Sequence, residues 1–403
     1  MSWFALAVWA VAGLALCVAA VEYGLRYWIS TRAPVRIRNP LENLHITPDP
    51  AIFPSLPASS RFTSNIAGAR GGDDPVNGRT FRALAVGGSG VECLMLDDDA
   101  CWTAIVAQHL STGSAKAALG VDHVRVWSNG CSGITTDTLI YALPDELKRY
   151  RQLDAIIIMN GASAINTWCD LELPAVMPAM EPSWIDLAFH RNHRWSWSPR
   201  HTAIAELIRR LRVLRPRPPR ELKKIGRTIA LARKARASTD RIIRELPDTS
   251  SWLGHYKRTL AEVVDIAGNH AKRVILVHQP IFSKTDPTAE EIAMMWHGGL
   301  GPEGQKIAFV EHDLMIEMCE LLRVATKDVA EQTGATFVDP TPAIASVQAN
   351  FYDHFHFTPE GARCLGVFIA ERLLDGHGHH GTGSGSVADP SSEKGPLEQA
   401  GRS

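Results

Sequence analysis

The chain of 403 residues is long enough for one large domain or two ordinary ones, and its composition, 45% hydrophobic and 21% charged, is typical of a globular protein. The formal net charge of −1 does not indicate a nucleic-acid partner. The charge is uneven, however, because 16 Lys and Arg but only three acidic residues lie between Arg191 and Arg241. Such a block is typical either of a surface that meets anionic lipid or polymer, or of a solvated helical face.

The first element in the chain is an uncharged apolar run from Trp3 to Val21. As a helix, its 19 residues would extend roughly 28 Å, close to the ~30 Å hydrocarbon core of a bilayer. It lacks the basic n-region and the small-x-small cleavage site of a signal peptide. We therefore interpret residues 1–28 as a single transmembrane anchor. Arginines follow the span and none precedes it, which by the positive-inside tendency places the body of the protein in the cytoplasm.

Five apolar, β-branched runs follow residues 29–80, which are rich in Pro, Asn, Arg and Gly and are expected to form an irregular lead-in. Each run is continuous rather than alternating, as in strands buried on both faces of a parallel sheet. Helical patterns lie between them, which predicts an α/β fold of the flavodoxin-like three-layer α/β/α type with a five-stranded parallel sheet. The predicted strands are 81–88, 124–130, 155–161, 273–279 and 335–340.

The spacing of the strands breaks once, between the third and the fourth. About 110 residues lie there, too many for a simple crossover, and they predict a basic helical insertion at about 170–270 in a domain spanning 81–375. The insertion is interpreted either as a cap or as a membrane-apposed helical pair, because "LIRRLRVLR" places apolar residues at helical spacing among arginines. Packing of these helices onto the domain surface is the alternative. The low-complexity tail at 376–403 is expected to be disordered.

A glycine-rich turn with one serine, "VGGSGVE", follows the first predicted strand. It lacks the lysine of a phosphate-binding loop and the G-x-G-x-x-G of a dinucleotide site, which disfavours a nucleotide-binding domain. It also departs from the G-x-S-x-G nucleophile elbow, because Val91 replaces the final glycine. A serine, Ser89, is left at the strand end where ligands bind in such sheets. Glu92, just after it, is interpreted as structural, since negative charge at a helix start suits the helix dipole.

A serine nucleophile needs a base and a third group that orients this base. Asp353 and His356 are three residues apart, just before a helix that Thr358 caps and Pro359 begins. One turn of loop can hold the carboxylate against one imidazole nitrogen while the other nitrogen faces Ser89. His354 is an alternative base, and H-x-H metal ligation or incidental histidines are alternative interpretations of the loop.

In combination these blocks resemble those of the SGNH (GDSL-like) hydrolase family. Ser89 in "VGGSGVE" is similar to the nucleophile block, Gly130 in "NGCSG" to the second block, and Asp353 and His356 before "FTPEG" to the last block. Upstream, "FTSNIAGARGG" resembles a lead-in of membrane-anchored bacterial members. The resemblance implies a Ser-His-Asp triad, an oxyanion hole formed by the backbone N–H groups of Ser89 and Gly130, and no metal or organic cofactor.

The third block departs from the family pattern Gly-x-Asn-Asp, whose asparagine donates to the oxyanion. This chain reads "MNGASAIN", with Ser163 in the place of that asparagine. Ser163 through its hydroxyl, or Asn160 or Asn166 from a shifted loop, are the candidate replacements. Loss of one such donor costs about 10²–10³ in turnover, so a slow or inactive enzyme is compatible with the sequence.

The resemblance implies a membrane-anchored serine esterase that hydrolyses acyl esters, such as acetyl esters, on glycans. An acyltransferase acting on a glycan with the same triad, and a non-catalytic binding module of the same fold, are the alternatives. The expected partners are an acyl-ester substrate, carbohydrate in this interpretation, and a membrane bound through the N-terminal helix and the basic insertion. Anchored relatives imply a periplasmic site, against the cytoplasmic placement that the arginines predict.

Overall fold

The computed structural model describes residues 2–31, 35–75, 77–171, 202–216, 218–246, 248–301, 306 and 308–378. Residues 172–201 of the predicted insertion, the predicted disordered tail from residue 379 onward and the side chain of Asn166 lie outside the described residues.

Strands and helices alternate along most of the described chain. In chain order they are α1 (Trp3–Thr31), β1 (Asn43–Pro48), β2 (Ser60–Thr63), β3 (Thr80–Gly87), α2 (Ser89–Glu92), α3 (Trp102–Leu110), α4 (Gly113–Leu119), β4 (His123–Gly130), α5 (Thr136–Leu147), β5 (Leu153–Met159), α6 (Gly161–Leu171), α7 (Ala203–Val213), β6 (Arg220–Ile225), α8 (Arg227–Ala237), β7 (Ile242–Ile243), α9 (Ser250–Gly268), β8 (Ala271–Val277), α10 (Ala289–Ala293), β9 (Gly299–Leu300), β10 (Ala308–Val310), α11 (His312–Thr333), β11 (Thr336–Val338), a 3₁₀ turn (Thr341–Ala343) and α12 (Pro359–Gly378).

The central sheet has five strands in the order β11-β8-β5-β3-β4, and every neighbouring pair is parallel. These are the five predicted strands, and in their own chain order the arrangement is 2-1-3-4-5. This is the flavodoxin-like order, so the predicted fold class is confirmed. The order reverses between β3 and β5, and this point of an open α/β sheet is where ligands bind.

Two helical layers cover the sheet because its strands are apolar on both faces. Leu84 and Val86 of β3 belong to one buried cluster with residues of α5, α6, α9 and α11. Their neighbours Ala83 and Ala85 belong to the opposite cluster, with residues of α3, α4 and α12. Adjacent residues of one strand therefore point into different cores, which explains the continuous rather than alternating hydrophobic pattern.

The lead-in at 29–80, expected to be irregular, contains two strands. β1 pairs with β2 antiparallel and with β6 parallel, forming a small second sheet. Its apolar side chains, Ile46 and Phe62, are buried together with Phe53 and Met95. The basic insertion is therefore not wholly helical, since β6 lies between its helices α7 and α8. The strands were missed because each places few apolar side chains in a segment rich in Pro, Asn and Arg.

Helix α1 is long and apolar enough, from Trp3 to Ile29, to cross a membrane, although a signal sequence would meet the same criteria. Its use as an anchor stays a prediction, as do the domain boundaries.

Candidate active site

Ser89 is the first residue of α2 and is separated from the end of β3 by Gly88 alone, at the reversal point of the sheet. The preceding glycine allows the turn to pack closely. A Cβ atom on Gly88 would lie only 2.7 Å from the Ser163 Oγ and 3.3 Å from the Asn160 Oδ1. The glycine-rich turn therefore brings the peptide next to Ser89 against the loop after β5.

A continuous chain of hydrogen bonds joins the three residues of the predicted triad. The Nε2 of His356 lies 2.7 Å from the Ser89 Oγ. The Nδ1 of His356 lies 2.8 and 2.9 Å from the two carboxylate oxygens of Asp353. Since the carboxylate can only accept, Nδ1 carries the proton, and the Ser89 hydroxyl donates to Nε2. Thr358 caps the following helix, as predicted, accepting from the Gly361 N–H at 3.2 Å.

The Asp353 carboxylate is completely buried, and its surroundings stabilise its charge. It accepts hydrogen bonds from the backbone N–H groups of Phe355 at 2.9 Å and His356 at 3.0 Å, and from the Trp296 indole N–H at 2.8 Å. Burial alone would raise the pKa of Asp353, but the attraction of the neighbouring histidines and these hydrogen bonds hold that pKa far below its usual range. The carboxylate is therefore ionised and fixed in orientation.

His356 has the electrostatics of a general base held by a carboxylate. Burial acts to lower its pKa, but the charge of Asp353 and the hydrogen bond to it outweigh burial, so that the pKa is raised above the ordinary value. The Tyr352 ring lies parallel to the imidazole, with an interplanar angle of 11° and centroids 5.4 Å apart. This stacking leaves the imidazole few orientations other than the one that faces Ser89.

His354, the alternative base, is fully buried. Its ring packs beside those of His297 and His312, and neither of its nitrogens has a hydrogen-bond partner among the described residues. Burial first, and then the neighbouring cationic groups, hold its pKa well below the ordinary value. His354 is therefore a neutral core residue in this structure.

The described residues include one group that could hold a metal ion: His297, Asp353 and His356, whose ligand atoms lie within 4.8 Å of one another. Two of these three are already bonded to each other through the Nδ1 of His356. A metal bound at Asp353 would have to displace that bond or the one from Trp296. The arrangement is better matched to proton transfer than to metal binding, and the absence of a cofactor stays a prediction.

Gly130, the predicted second oxyanion donor, ends β4 level with Gly87, the end of β3. A Cβ atom on Gly130 would lie 2.2 Å from the backbone nitrogen of Glu92, so no larger residue fits without backbone movement. The close approach packs the end of β4 against the helix that begins with Ser89.

Of the two candidate oxyanion donors whose side chains the structure describes, Asn160 and Ser163, Asn160 has the clearer signature. It follows β5, is 4% exposed, and neither polar atom of its amide has a hydrogen-bond partner among the described residues. Ser163, in the first turn of α6, is also buried. A buried amide without partners is costly and rare, which points to a group that arrives with the substrate.

The side chain of Glu92 binds the loop that carries Gly130. This contact was not predicted from the sequence. The Glu92 Oε2 accepts a hydrogen bond from the Ser132 backbone N–H at 2.7 Å and another from the Ser132 hydroxyl. Its Oε1 pairs with Arg38, and this arginine also donates to the Gly130 carbonyl at 3.3 Å. Glu92 is 4% exposed. It is structural, as predicted, but through a buried ion pair and not through the helix dipole.

Arg70 binds the C-terminal end of α2. Its guanidinium donates to the backbone carbonyls of Glu92 at 3.1 Å, Cys93 at 3.0 Å and Leu96 at 2.7 Å, and pairs with Asp98 at 2.9 Å. A cation placed on the free carbonyls of a helix end is stabilising. The only signal for Arg70 in the sequence was its place in "FTSNIAGARGG".

Gln279, after β8, connects the loops that carry the candidate donors and the base. Its Oε1 accepts from the Ala162 N–H at 3.2 Å, and its Nε2 donates to the Phe355 carbonyl at 3.3 Å. Neither Gln279 nor Trp296 lies in a recognisable motif. Only their position in the fold reveals them.

A small, partly open hollow adjoins the serine. Its wall is mostly apolar, formed by Cys93, Met95, Leu96 and Phe357, with Ser89, Gly90, Tyr352 and His356 completing it. The space next to the nucleophile suits a short, uncharged group.

No protein-family model matches the chain, and a search of curated proteins finds no significant match. Among solved structures, the chain is similar to an acetylxylan esterase from Geobacillus stearothermophilus (15% identity, covering 74% of this chain and 94% of that one, TM-score 0.38). It is also similar to LAE5, an alpha/beta hydrolase from the metagenome of Lake Arreo, Spain (13% identity, covering 74% of this chain and 95% of that one, TM-score 0.39). A third similar structure is a carbohydrate acetylesterase family member from Sinorhizobium meliloti (14% identity, covering 74% of this chain and 99% of that one, TM-score 0.38). With TM-scores below 0.5, these similarities carry no argument about the activity, which depends on the geometry above.

The raised pKa of His356 predicts where, on the acid side of its pH profile, any activity that needs this base declines. Only neutral His356 accepts a proton, so kcat/KM falls as the pH drops through that pKa, which lies above the ordinary value of about 6.5. Removal of the charge in Asp353→Asn moves this decline to lower pH and lowers the plateau. The check is a pH profile of both proteins, and an unshifted decline would show that Asp353 does not set the pKa of His356.

Glu92→Gln tests whether this side chain positions the Gly130 loop. Without its charge the pairing with Arg38 weakens, and we expect kcat to fall about 10²-fold while KM stays nearly constant, as for a misplaced catalytic group. The matched control is Glu42→Gln, which removes the other carboxylate paired with Arg38 but one that does not contact Ser132. Equal losses of kcat in the two folded variants would mean that the effect runs through Arg38, with which both carboxylates pair, and not through the contact of Glu92 with Ser132.

Proposed function

We propose that this chain is a serine esterase in which Ser89 is the nucleophile, His356 the general base and acid, and Asp353 the group that orients His356. The hydrogen-bonded chain from the Ser89 Oγ through His356 to the buried Asp353 carboxylate is the observation that carries the proposal. The nucleophile-base-orienter arrangement is recognised by geometry and is found on unrelated folds.

In the first step the Ser89 Oγ attacks the carbonyl carbon of an ester, and its proton passes to the Nε2 of His356. The resulting imidazolium is stabilised by the Asp353 carboxylate, which stays ionised. Collapse of the tetrahedral intermediate breaks the bond to the alcohol oxygen, which takes the proton from Nε2. Water then attacks the acyl-serine with the same proton path, releasing the acid and restoring Ser89.

The developing oxyanion needs donors beside the serine. The N–H of Ser89, at the start of α2, has no partner within its own helix, and the N–H of Gly130 is the second backbone donor in this proposal. Asn160 supplies the third donor, taking the place of the asparagine in the SGNH family pattern, with Ser163 packed against the same turn. The unpartnered amide of Asn160 supports this choice.

The acyl group is short in this proposal. The hollow beside Ser89 is small and bounded by the apolar side chains of Met95, Leu96 and Phe357, which supports an acetyl group over a long acyl chain. Carbohydrate as the alcohol follows from the resemblance to SGNH hydrolases. Helix α1 would hold the enzyme at a membrane, and its length and apolar composition support that placement.

The activity is tested with the hydrolysis of p-nitrophenyl acetate and of acetylated xylo-oligosaccharides by the purified full-length protein. Wild type is expected to release acetate, and Ser89→Ala to lose on the order of 10⁴-fold or more. Ser111→Ala, an exposed serine at the end of α3, is the matched control and should retain full activity. Hydrolysis that survives in Ser89→Ala would overturn the proposal.

Two further variants identify the amide donor. Because Asn160 has no other described partner, we expect Asn160→Ala to lower kcat about 10²-fold, the cost of one oxyanion donor. Ser163→Ala is expected to have a much smaller effect. The measurement is kcat on p-nitrophenyl acetate, and the reverse ranking would assign the donor to Ser163.

A further inference from the structure

We propose that the outer face of α7 is an interfacial surface that binds the anionic headgroups of the membrane crossed by α1. The inference rests on the proposed anchoring role of α1 but not on the esterase activity. In this proposal lipid covers an apolar surface of α7, one of the two helices of the basic insertion, that the described residues leave exposed.

Helix α7 begins beside the part of α1 that follows the uncharged run from Trp3 to Val21. The Glu22 carboxylate, on α1 just beyond the uncharged run, accepts hydrogen bonds from the backbone N–H groups of Ala203 at 2.7 Å and Ile204 at 3.1 Å. These are the first residues of α7, so a side chain of α1 satisfies donors that a helix start leaves free. Ile29 and Ala203 are buried against each other.

Glu22 is well compensated at this junction. It is 7% exposed, and Arg26, one turn further along α1, donates to it at 2.7 Å. Two backbone donors and one cation converge on a single carboxylate at the level where the span would leave the hydrocarbon. The junction therefore fixes the start of α7 at the membrane boundary.

A line of exposed apolar side chains runs along α7 to its C-terminal cap. Ile208, Leu211 and Leu214 follow at intervals of three residues and are 43, 57 and 43% exposed. Large apolar side chains in a line on a helix surface are typical of interfacial helices. A solvated helical face, the alternative interpretation of the basic block, would carry polar side chains at these positions.

Basic side chains border this apolar line. Arg212 and Arg215 are exposed, stand before and after Leu214 in the sequence, and lie within the block that carries 16 Lys and Arg. Their long stems can lie along the apolar surface while the guanidinium groups reach phosphate. Anionic lipid therefore matches both the apolar line and the charge next to it.

Aromatic side chains on α1 independently support the same position for the boundary between hydrocarbon and headgroups. Tyr23 and Tyr27, in the turns that contain Glu22 and Arg26, are 77 and 62% exposed. Tyrosines concentrate at the headgroup level of membrane proteins. The start of α7 and an interfacial aromatic belt thus coincide.

The test uses the full-length protein in nanodiscs of phosphatidylcholine, alone or mixed with phosphatidylglycerol, each with a trace of a photoreactive diazirine phospholipid. Mass spectrometry locates lipid adducts on peptides. We expect adducts on α1 and on the α7 peptide, with several-fold more on α7 when phosphatidylglycerol is present. The double variant I208E/L211E should lose the α7 adducts and keep those on α1. The matched control, V324E/V347E, replaces two similarly exposed apolar residues elsewhere and should behave as wild type.

Adducts on α1 without any on α7 would overturn the inference while leaving the anchor intact. Equal α7 yields in the two lipid mixtures would contradict the role of the arginines. Absence of adducts from α1 as well would refute the anchor, and the inference with it. Hydrolysis of p-nitrophenyl acetate, measured on the same samples, should not differ between I208E/L211E and wild type, which separates this result from that of the esterase proposal.

Discussion

The arrangement at the site depends on one constraint, the burial of the Asp353 carboxylate. A buried charge is tolerated only when it is paired and hydrogen-bonded. Here two backbone N–H groups, the indole of Trp296 and the imidazole of His356 meet that demand. The loop that carries Asp353 and His356 must therefore adopt the conformation that directs the imidazole toward Ser89. Thr358 caps α12 immediately after this loop.

A second buried charge organises the opposite side of the serine. Glu92 lies one helical turn after Ser89, and its carboxylate joins Arg38 of the lead-in to Ser132 in the loop after β4. Breaking such a pair by removing one partner is more destabilising than never having buried it, because the other charge is left uncompensated. The segment before the central sheet is thus part of the site, since Arg38 and Arg70 both hold the nucleophile turn.

The five strands of the central sheet and the residues Ser89, Asp353 and His356 could be predicted from the sequence because short local patterns identify them. Continuous apolar runs identify strands buried on both faces, and Asp353 and His356 are separated by one turn of loop. Glu92 and Arg38 were not accessible in the same way, since 54 residues separate them and only the folded chain pairs them. The strands β1 and β2 were missed for a related reason: they are short, and partner strand β6 comes from a distant basic segment.

The central claim is that His356 activates Ser89, and fluorophosphonate labelling tests it most directly because the reagent needs an activated serine but no knowledge of the substrate. The full-length wild type and His356→Ala would be labelled side by side, and the modified peptide located by mass spectrometry. We expect label on Ser89 in the wild type and its loss in His356→Ala. Label at another serine, or no label on folded wild-type protein, would contradict this claim.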